Sequence, residues 1–305
     1  QKREIKDQSV IIPGSKSISH RMLICSALSD GETTITNLLL SEDIQLTMGC
    51  LTAMGASIRK DTDQVHTVNG FKGSPVKKQT EPIFLGNSGT SMRLLAGIAG
   101  LGTEEFVLTG DPRLCERPMV ELLDALTQLG IKAESQSEAG TPPVYITGGE
   151  RRGGAVFIDC SQSSQYLSSL LLIAPFMKQG LDIHLDTPPV SLPYIDLTLD
   201  IMEKFGVKAE RISETRYHVP GGQTYASGRY TVEPDLSNAG YFWAIGAVTG
   251  QAIFVANTSM ASCQGDLNQI RILEQMGCRV MVEDGRIGVE GGTLQAVDVD
   301  MSDTP

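Results

Sequence analysis

Tryptophan occurs once in the 305 residues, aromatics make up only 5%, and basic side chains are few, with 25 Lys plus Arg against 36 Asp plus Glu. A net charge of −11 leaves no broad cationic field to hold nucleic acid, so that class of partner is excluded. Long apolar runs are missing as well. The longest, residues 170–177, is about eight residues, where a bilayer crossing needs roughly 18–20, so no membrane span is expected. The six cysteines, Cys25, Cys50, Cys115, Cys160, Cys263 and Cys278, form no C-x-x-C pair, and no His stands at ligand spacing from another His or Cys. That excludes a structural zinc and predicts reduced, mostly buried thiols. The opening Gln1-Lys2-Arg3-Glu4-Ile5-Lys6-Asp7 is too charged for a signal peptide and has no initiator Met. A trimmed start and a cytoplasmic address are expected. The phosphate loop G-x-x-x-x-G-K-[ST], the dinucleotide fingerprint G-x-G-x-x-G and the nucleophile elbow G-x-S-x-G are all absent.

What is present is a repeat. Four glycines, Gly55, Gly130, Gly206 and Gly277, lie 75, 76 and 71 residues apart. Each follows large apolar residues one, four and seven positions earlier: Met54, Leu51, Met48; Leu129, Leu126, Leu123; Phe205, Met202, Leu199; Met276, Leu273, Ile270. That spacing is one face of a helix, and the Gly suits a left-handed cap where a side chain would clash. Each unit also has an earlier helix with a start rich in Ser, Gly, Asn or Gln: Ser15-Lys16-Ser17, Gly86-Asn87-Ser88-Gly89, Ser161-Gln162-Ser163-Ser164-Gln165, and Asp235-Leu236-Ser237-Asn238. Turn-rich joins at 148–154 and 220–228 mark candidate boundaries, the second the expected domain junction. The fold class is therefore α/β (α+β), in units of two helices and several strands, with about two domains.

Helix starts present unpaired N–H groups and partial positive charge, so they suit phosphate or carboxylate, although Ser and Asn there also serve as plain caps. For the fourth start, with Asp235 and no cation nearby, capping is the reading. The first start carries Lys16 and Arg21, with the helix expected near Ser17; a cation there opposes the helix dipole and points to an anionic ligand. The second carries Gly89 and, one turn on, Arg93. Downstream, Arg113 and Arg117 share a loop, and an Arg fork suits a carboxylate or phosphate. Together Lys16, Arg21, Arg93, Arg113 and Arg117 predict a local cationic cluster for a small polyanion. His20, His66, His184 and His218 have no assignable partner and are expected to be structural or exposed; His20, inside the first start, is the one held open as functional.

Five ordered motifs now resemble a known family: Pro13-Gly14-Ser15-Lys16-Ser17-Ile18-Ser19-His20-Arg21, Gly86-Asn87-Ser88-Gly89-Thr90-Ser91-Met92-Arg93, Glu116-Arg117-Pro118, Ser163-Ser164-Gln165 and Pro193-Tyr194-Ile195-Asp196. They are similar, in order and spacing, to those of the 5-enolpyruvylshikimate-3-phosphate (EPSP) synthases, 3-phosphoshikimate 1-carboxyvinyltransferases of the shikimate pathway to chorismate and aromatic amino acids. The resemblance implies transfer of the enolpyruvyl group of phosphoenolpyruvate to the 5-hydroxyl of shikimate 3-phosphate, with release of phosphate. It implies a monomer with no metal or organic cofactor, and glyphosate as inhibitor. Shikimate 3-phosphate would be bound by Lys16, Ser17, Arg21, Ser163, Ser164, Gln165 and Ser191; phosphoenolpyruvate by Lys16, Gly89, Arg117 and Gln165. Lys16 is also the catalytic residue implied within the chain.

The implied fold has six βαβαββ units in two inside-out domains around a closing cleft, of which four units are counted here. The complete domain would span residues 15–229, and the second, incomplete at its C-terminal side, 1–14 with 230–305. The closing Asp300-Met301-Ser302-Asp303-Thr304-Pro305 resembles the start of a motif whose next residue is the family's catalytic Asp, so acid/base carboxylates are expected beyond Pro305. Two departures stand out: Leu94 where many members have Pro, and His20 where many have Asn. The nearest rival is UDP-N-acetylglucosamine enolpyruvyl transferase, which has Asn where this chain has Ser17 and a nucleophilic Cys five residues before the loop Arg. Pro112 holds that place here, so Cys115 is read as incidental. A non-catalytic anion-binding scaffold is the rival of a different class.

Overall fold

The computed structural model describes residues 8–301; the charged opening at 1–7 and the closing 302–305, most of the segment expected to start the further motif at Asp300, lie outside the described residues. The first repeat runs β1 (Gln8–Val10), α1 (Lys16–Leu28), β2 (Glu32–Thr36), α2 (Glu42–Ala53), β3 (Ser57–Lys60) and β4 (Val65–Asn69). The second runs β5 (Ile83–Phe84), α3 (Gly89–Ala99), β6 (Glu105–Thr109), α4 (Val120–Gln128), β7 (Lys132–Ser135) and β8 (Val144–Thr147). The third has β9 (Gly154–Ile158), α5 (Ser164–Ile173), β10 (Leu181–Leu185), α6 (Pro193–Lys204), β11 (Glu210–Ser213) and β12 (Arg216–Val219). The fourth has β13 (Arg229–Thr231), α7 (Leu236–Thr249), β14 (Ile253–Ala256), α8 (Asn268–Gln275), β15 (Arg279–Glu283) and β16 (Arg286–Glu290).

Each repeat contributes to one four-stranded sheet of the same plan, in which an opening parallel pair is followed by two antiparallel pairs. The second and third repeats are self-contained, with orders β5-β6-β8-β7 and β9-β10-β12-β11. The first and fourth exchange their opening strands: β1 pairs with β14, and β13 with β2. The chain accordingly divides into two compact units, Lys16–Thr231, and Gln1–Ser15 with Val232–Pro305. The division falls after Ser15 and Thr231 because Tyr230 and Thr231 are locked into β2 while the Ser15 N–H bonds to the Glu233 carbonyl, 2.8 Å away.

Within Lys16–Thr231 the two kinds of helix differ. Every residue of α1 from Ile18 to Leu28 is buried, polar Ser19, His20, Arg21 and Ser26 among them, and the more apolar α3 and α5 are nearly as fully enclosed. The helices α2, α4 and α6 bury one stripe and end at a glycine. Gly55, Gly130 and Gly206, and Gly277 after α8, have φ of +106°, +80°, +81° and +97°. In all four the residue after the glycine donates its N–H to the carbonyl five positions back, Ala56 to Leu51, Ile131 to Leu126, Val207 to Met202 and Cys278 to Leu273, at 2.9–3.1 Å. These bonds close a Schellman cap. The expected stripe is buried at Leu51, Met54, Leu123, Leu126, Leu129, Met202, Phe205 and Ile270, but Met48, Leu199, Leu273 and Met276 are only half-buried. In the second unit Trp243 anchors the core of α7 and donates its indole N–H to the Ile287 carbonyl at 3.0 Å. Among the described residues no helix is long and apolar enough to cross a membrane.

Candidate active site

The first three Ser/Gly-rich starts all lie in the unit Lys16–Thr231, at the beginnings of α1, α3 and α5. Ser88 Oγ caps α3 by accepting the Ser91 N–H, and Ser163 Oγ caps α5 by accepting the Gln165 N–H, each at 3.3 Å. The helix α1 begins at Lys16, one residue earlier than expected. At the fourth start Asp235 accepts the Asn238 N–H at 3.2 Å, the plain capping role.

Side chains tie the three starts together. Lys16 Nζ stands 3.5 Å from the Asp43 carboxylate on α2, with 49% of its side chain exposed. An exposed pair of this kind contributes about 0–1 kcal/mol, so a ligand anion can replace Asp43 at little cost. Ser91 Oγ, in the first turn of α3, donates to the Asp43 carbonyl at 3.4 Å and lies 2.8 Å from Thr47 Oγ1 of α2. Between the second and third starts, Gln165 Nε2 donates to Thr90 Oγ1 and Gln165 Oε1 accepts from Arg93 Nη1, both at 3.0 Å. Arg93 also lies over the Tyr166 ring, 5.3 Å from its centroid, and the Tyr166 hydroxyl donates to the Pro118 carbonyl at 2.8 Å. That bond anchors the loop carrying Arg117, whose guanidinium lies against Gly89, where a Cβ would strike Nη1.

Arg21 corrects the reading of a cluster open to ligand on all its members. It is 2% exposed, and it donates Nε to Thr198 Oγ1 at 2.7 Å, Nη1 to the Ser17 carbonyl at 3.0 Å, and Nη2 to Ser168 Oγ at 3.4 Å and the Tyr194 carbonyl at 3.1 Å. Burial lowers its pKa to about 10, which leaves it charged at neutral pH, so it braces α1 against α5 and α6. Ser191, three residues before Tyr194, has φ +52°, a left-handed conformation costing a non-glycine about 1–3 kcal/mol and shared by Asn37, Lys72, Arg151 and Asn257. Ser17 is half-buried at the mouth of α1, and Ser163 and Ser164 are buried at the mouth of α5. Arg113 stands exposed at the edge of a short 3-10 turn, Leu114–Glu116, that separates it from Arg117 along the chain.

The histidines fall as distinct cases. His20 is buried with Nδ1 2.9 Å from Thr47 Oγ1, and its pKa is lowered to about 3, by burial first and then by Arg21 and Lys16. His66 is buried on β4, His218 is half-buried, and His184 lies 3.3 Å from Asp182 and stacks on Phe157. Of the cysteines, four are buried, Cys115 is half-buried with its thiol donating to the Gly110 carbonyl at 3.5 Å, and Cys263 is exposed.

Sequence reasoning missed Asp43, Thr47 and Thr198, and named Tyr194 only as a member of a motif. A signal for two of them existed. Thr47 and Thr198 both lie eight residues before a capping glycine, Gly55 and Gly206, so each is the same polar position of the repeat turned towards the buried helices.

The model of the EPSP synthase (3-phosphoshikimate 1-carboxyvinyltransferase) family matches residues 2–305. The chain belongs to the EPSP synthase family. A 3-phosphoshikimate 1-carboxyvinyltransferase of Serratia proteamaculans is 42% identical over 299 residues, 97% of this chain and 70% of the relative. One of Shewanella oneidensis is 43% identical over 296 residues, 96% of this chain and 70% of the relative. Among solved structures, an EPSP synthase from Acinetobacter baumannii superposes with a TM-score of 0.83 at 27% identity, covering 97% of this chain and 67% of that one. The repeated mixed sheets and eight helices of the described residues thus form an EPSP synthase fold. The chain is an enolpyruvyl transferase by family, and the UDP-N-acetylglucosamine reading is not favoured.

Proposed function

We propose that the linked starts of α1, α3 and α5 bind the two substrates of the family reaction, in which the 5-hydroxyl of shikimate 3-phosphate takes the enolpyruvyl group of phosphoenolpyruvate. The observation that carries the reading is the pair of links that bring the starts together, Lys16 with Asp43 and Ser91 on one side and Gln165 with Thr90 and Arg93 on the other. Both substrates carry a phosphate and a carboxylate. Bringing two such anions to about 4 Å costs roughly 1 kcal/mol per charge pair in water and several times that in a drier site, so cations and helix starts must offset the repulsion.

In this reading Ser17, Ser163, Ser164, Gln165 and Ser191 hold shikimate 3-phosphate, with Arg21 acting from the helix interior. Gly89, Arg117 and Gln165 hold phosphoenolpyruvate, and Lys16 is shared. The hydroxyl oxygen gives up its proton and attacks C2 as C3 takes a proton, and the tetrahedral intermediate then loses a C3 proton and phosphate, the C2–O bond to phosphate breaking as the C2=C3 double bond re-forms. Lys16 exchanges Asp43 for the phosphate and neutralises it as it leaves. Glyphosate, with its phosphonate and carboxylate, suits the Arg117 side of the site. The protein is read as a cytoplasmic monomer that needs no metal or organic cofactor. Calorimetry of Arg117→Ala tests the division of labour: phosphoenolpyruvate capture should weaken while shikimate 3-phosphate affinity holds, and equal losses of both overturn it.

A further inference from the structure

His20 takes no part in the reaction outlined above, yet it lies at the centre of the site's polar wiring. Its ring is wholly buried in α1, Nδ1 faces Thr47 Oγ1 at 2.9 Å, and Nε2 is buried without a hydrogen-bond partner. From Thr47 the contacts continue to Ser91 Oγ at 2.8 Å and on to Ser88 Oγ at 2.6 Å. Ser88 is the residue before Gly89 and caps α3.

A neutral imidazole has one donor and one acceptor nitrogen, and a buried N–H without a partner costs more than a buried lone pair without one. The proton therefore belongs on Nδ1. It is donated to Thr47, which leaves the Thr47 hydroxyl hydrogen for Ser91. Ser91 in turn directs its hydrogen chiefly at Ser88, 2.6 Å away, with the Asp43 carbonyl at 3.4 Å the weaker acceptor. Ser88 Oγ then accepts both the Ser91 N–H and the Ser91 hydroxyl hydrogen, so its own hydrogen is turned away from the chain of hydroxyls. The direction of every hydroxyl is set from the buried end.

We propose that His20 is a positioning residue for the phosphoenolpyruvate side of the site, fixing through Thr47 and Ser91 the donor directions at the Ser88–Gly89 start of α3. This rests on the substrate reading above. The wiring runs from His20 to α3 and leaves the α5 start, assigned to shikimate 3-phosphate, to the separate bonds of Gln165 and Arg21. Loss of His20 therefore affects one substrate and spares the other.

The test is phosphoenolpyruvate titration by calorimetry into the full chain saturated with shikimate 3-phosphate, for wild type, H20N, H20Q, T47V and H20Q/T47V. An Asn amide overlays Nδ1 and rescues the bond, whereas the Gln amide overlays Nε2 and does not. Expected are near wild-type affinity for H20N, about 10-fold weaker binding for H20Q and for T47V, and no more than about 10-fold for the double variant, because both break one chain. Shikimate 3-phosphate affinity should stay constant throughout. Wild-type affinity in H20Q, a double variant near 100-fold, or shikimate 3-phosphate losses in step each overturn the inference. A second readout needs no ligand: the nitrogen NMR shifts of His20 should place its proton on Nδ1, and a proton on Nε2 overturns the inference alone. A wild-type chain with affinity for neither substrate overturns the substrate reading, and this inference with it.

Discussion

Gly89 and Arg117 are fitted to one another: the guanidinium lies where a side chain on Gly89 would have to be. The contact explains why the first residue of α3 is a glycine although its backbone is ordinary helix. Gly89→Ala should displace Arg117 without unfolding the helix, because the colliding atom is the end of a flexible side chain. Phosphoenolpyruvate affinity should fall about 10-fold, the worth of one charge-assisted contact, with shikimate 3-phosphate affinity unchanged. Calorimetry of both ligands checks it, and an unaltered phosphoenolpyruvate affinity contradicts it.

Arg21 should matter for folding as much as for binding. Arg21→Lys leaves Thr198, Ser168 and the Tyr194 carbonyl without their guanidinium donor in a buried junction of three helices. A loss of about 2–4 kcal/mol is expected in urea unfolding, since buried groups left unsatisfied cost about 1–3 kcal/mol each and Thr198 retains its own bond to Tyr194. A variant as stable as wild type contradicts the bracing role.

His20 should make stability depend on pH. Its pKa falls from 6.5 in the unfolded chain to about 3 when folded. Between those values the unfolded chain binds more protons, so stability is lost as pH drops below 6.5, at up to about 1.4 kcal/mol per unit. His66, also lowered chiefly by burial, adds in the same sense. The gap in unfolding free energy between wild type and His20→Asn should therefore change steadily from pH 7 to pH 5 in favour of the variant. A gap independent of pH contradicts the buried neutral imidazole.

Thiol labelling should distinguish the cysteines. Burial pushes Cys25 and Cys50 far above the usual thiol range and Cys160 up to about 12, and Cys278 is buried too. A thiol reagent at pH 8 should react fast with Cys263, slowly with half-buried Cys115, and with the other four only after denaturation. Rapid loss of all six in the native protein contradicts the packing.

The repeat was legible in the sequence because a left-handed cap needs glycine and a buried stripe needs helical spacing, and both survive as letters at Gly55, Gly130, Gly206 and Gly277. The starts at Ser88 and Ser163 were legible for the same local reason. The exchange of β1 and β13 was not visible as a pairing, since nothing in either three-residue strand names its partner. Partners across the helices were hidden as well. The bonds of Arg21 to α5 and α6 span 147 to 177 residues of sequence, so one arginine looks alike whether it faces ligand or interior. Ser191 was named only by resemblance, because its positive φ leaves no mark in its residue type.

The central claim is that Lys16, half-exposed and only loosely paired with Asp43, is where the two anions meet. Calorimetry of Lys16→Ala with shikimate 3-phosphate and then phosphoenolpyruvate tests it most directly. The account predicts that heat of binding disappears for both, and affinities equal to wild type would contradict it.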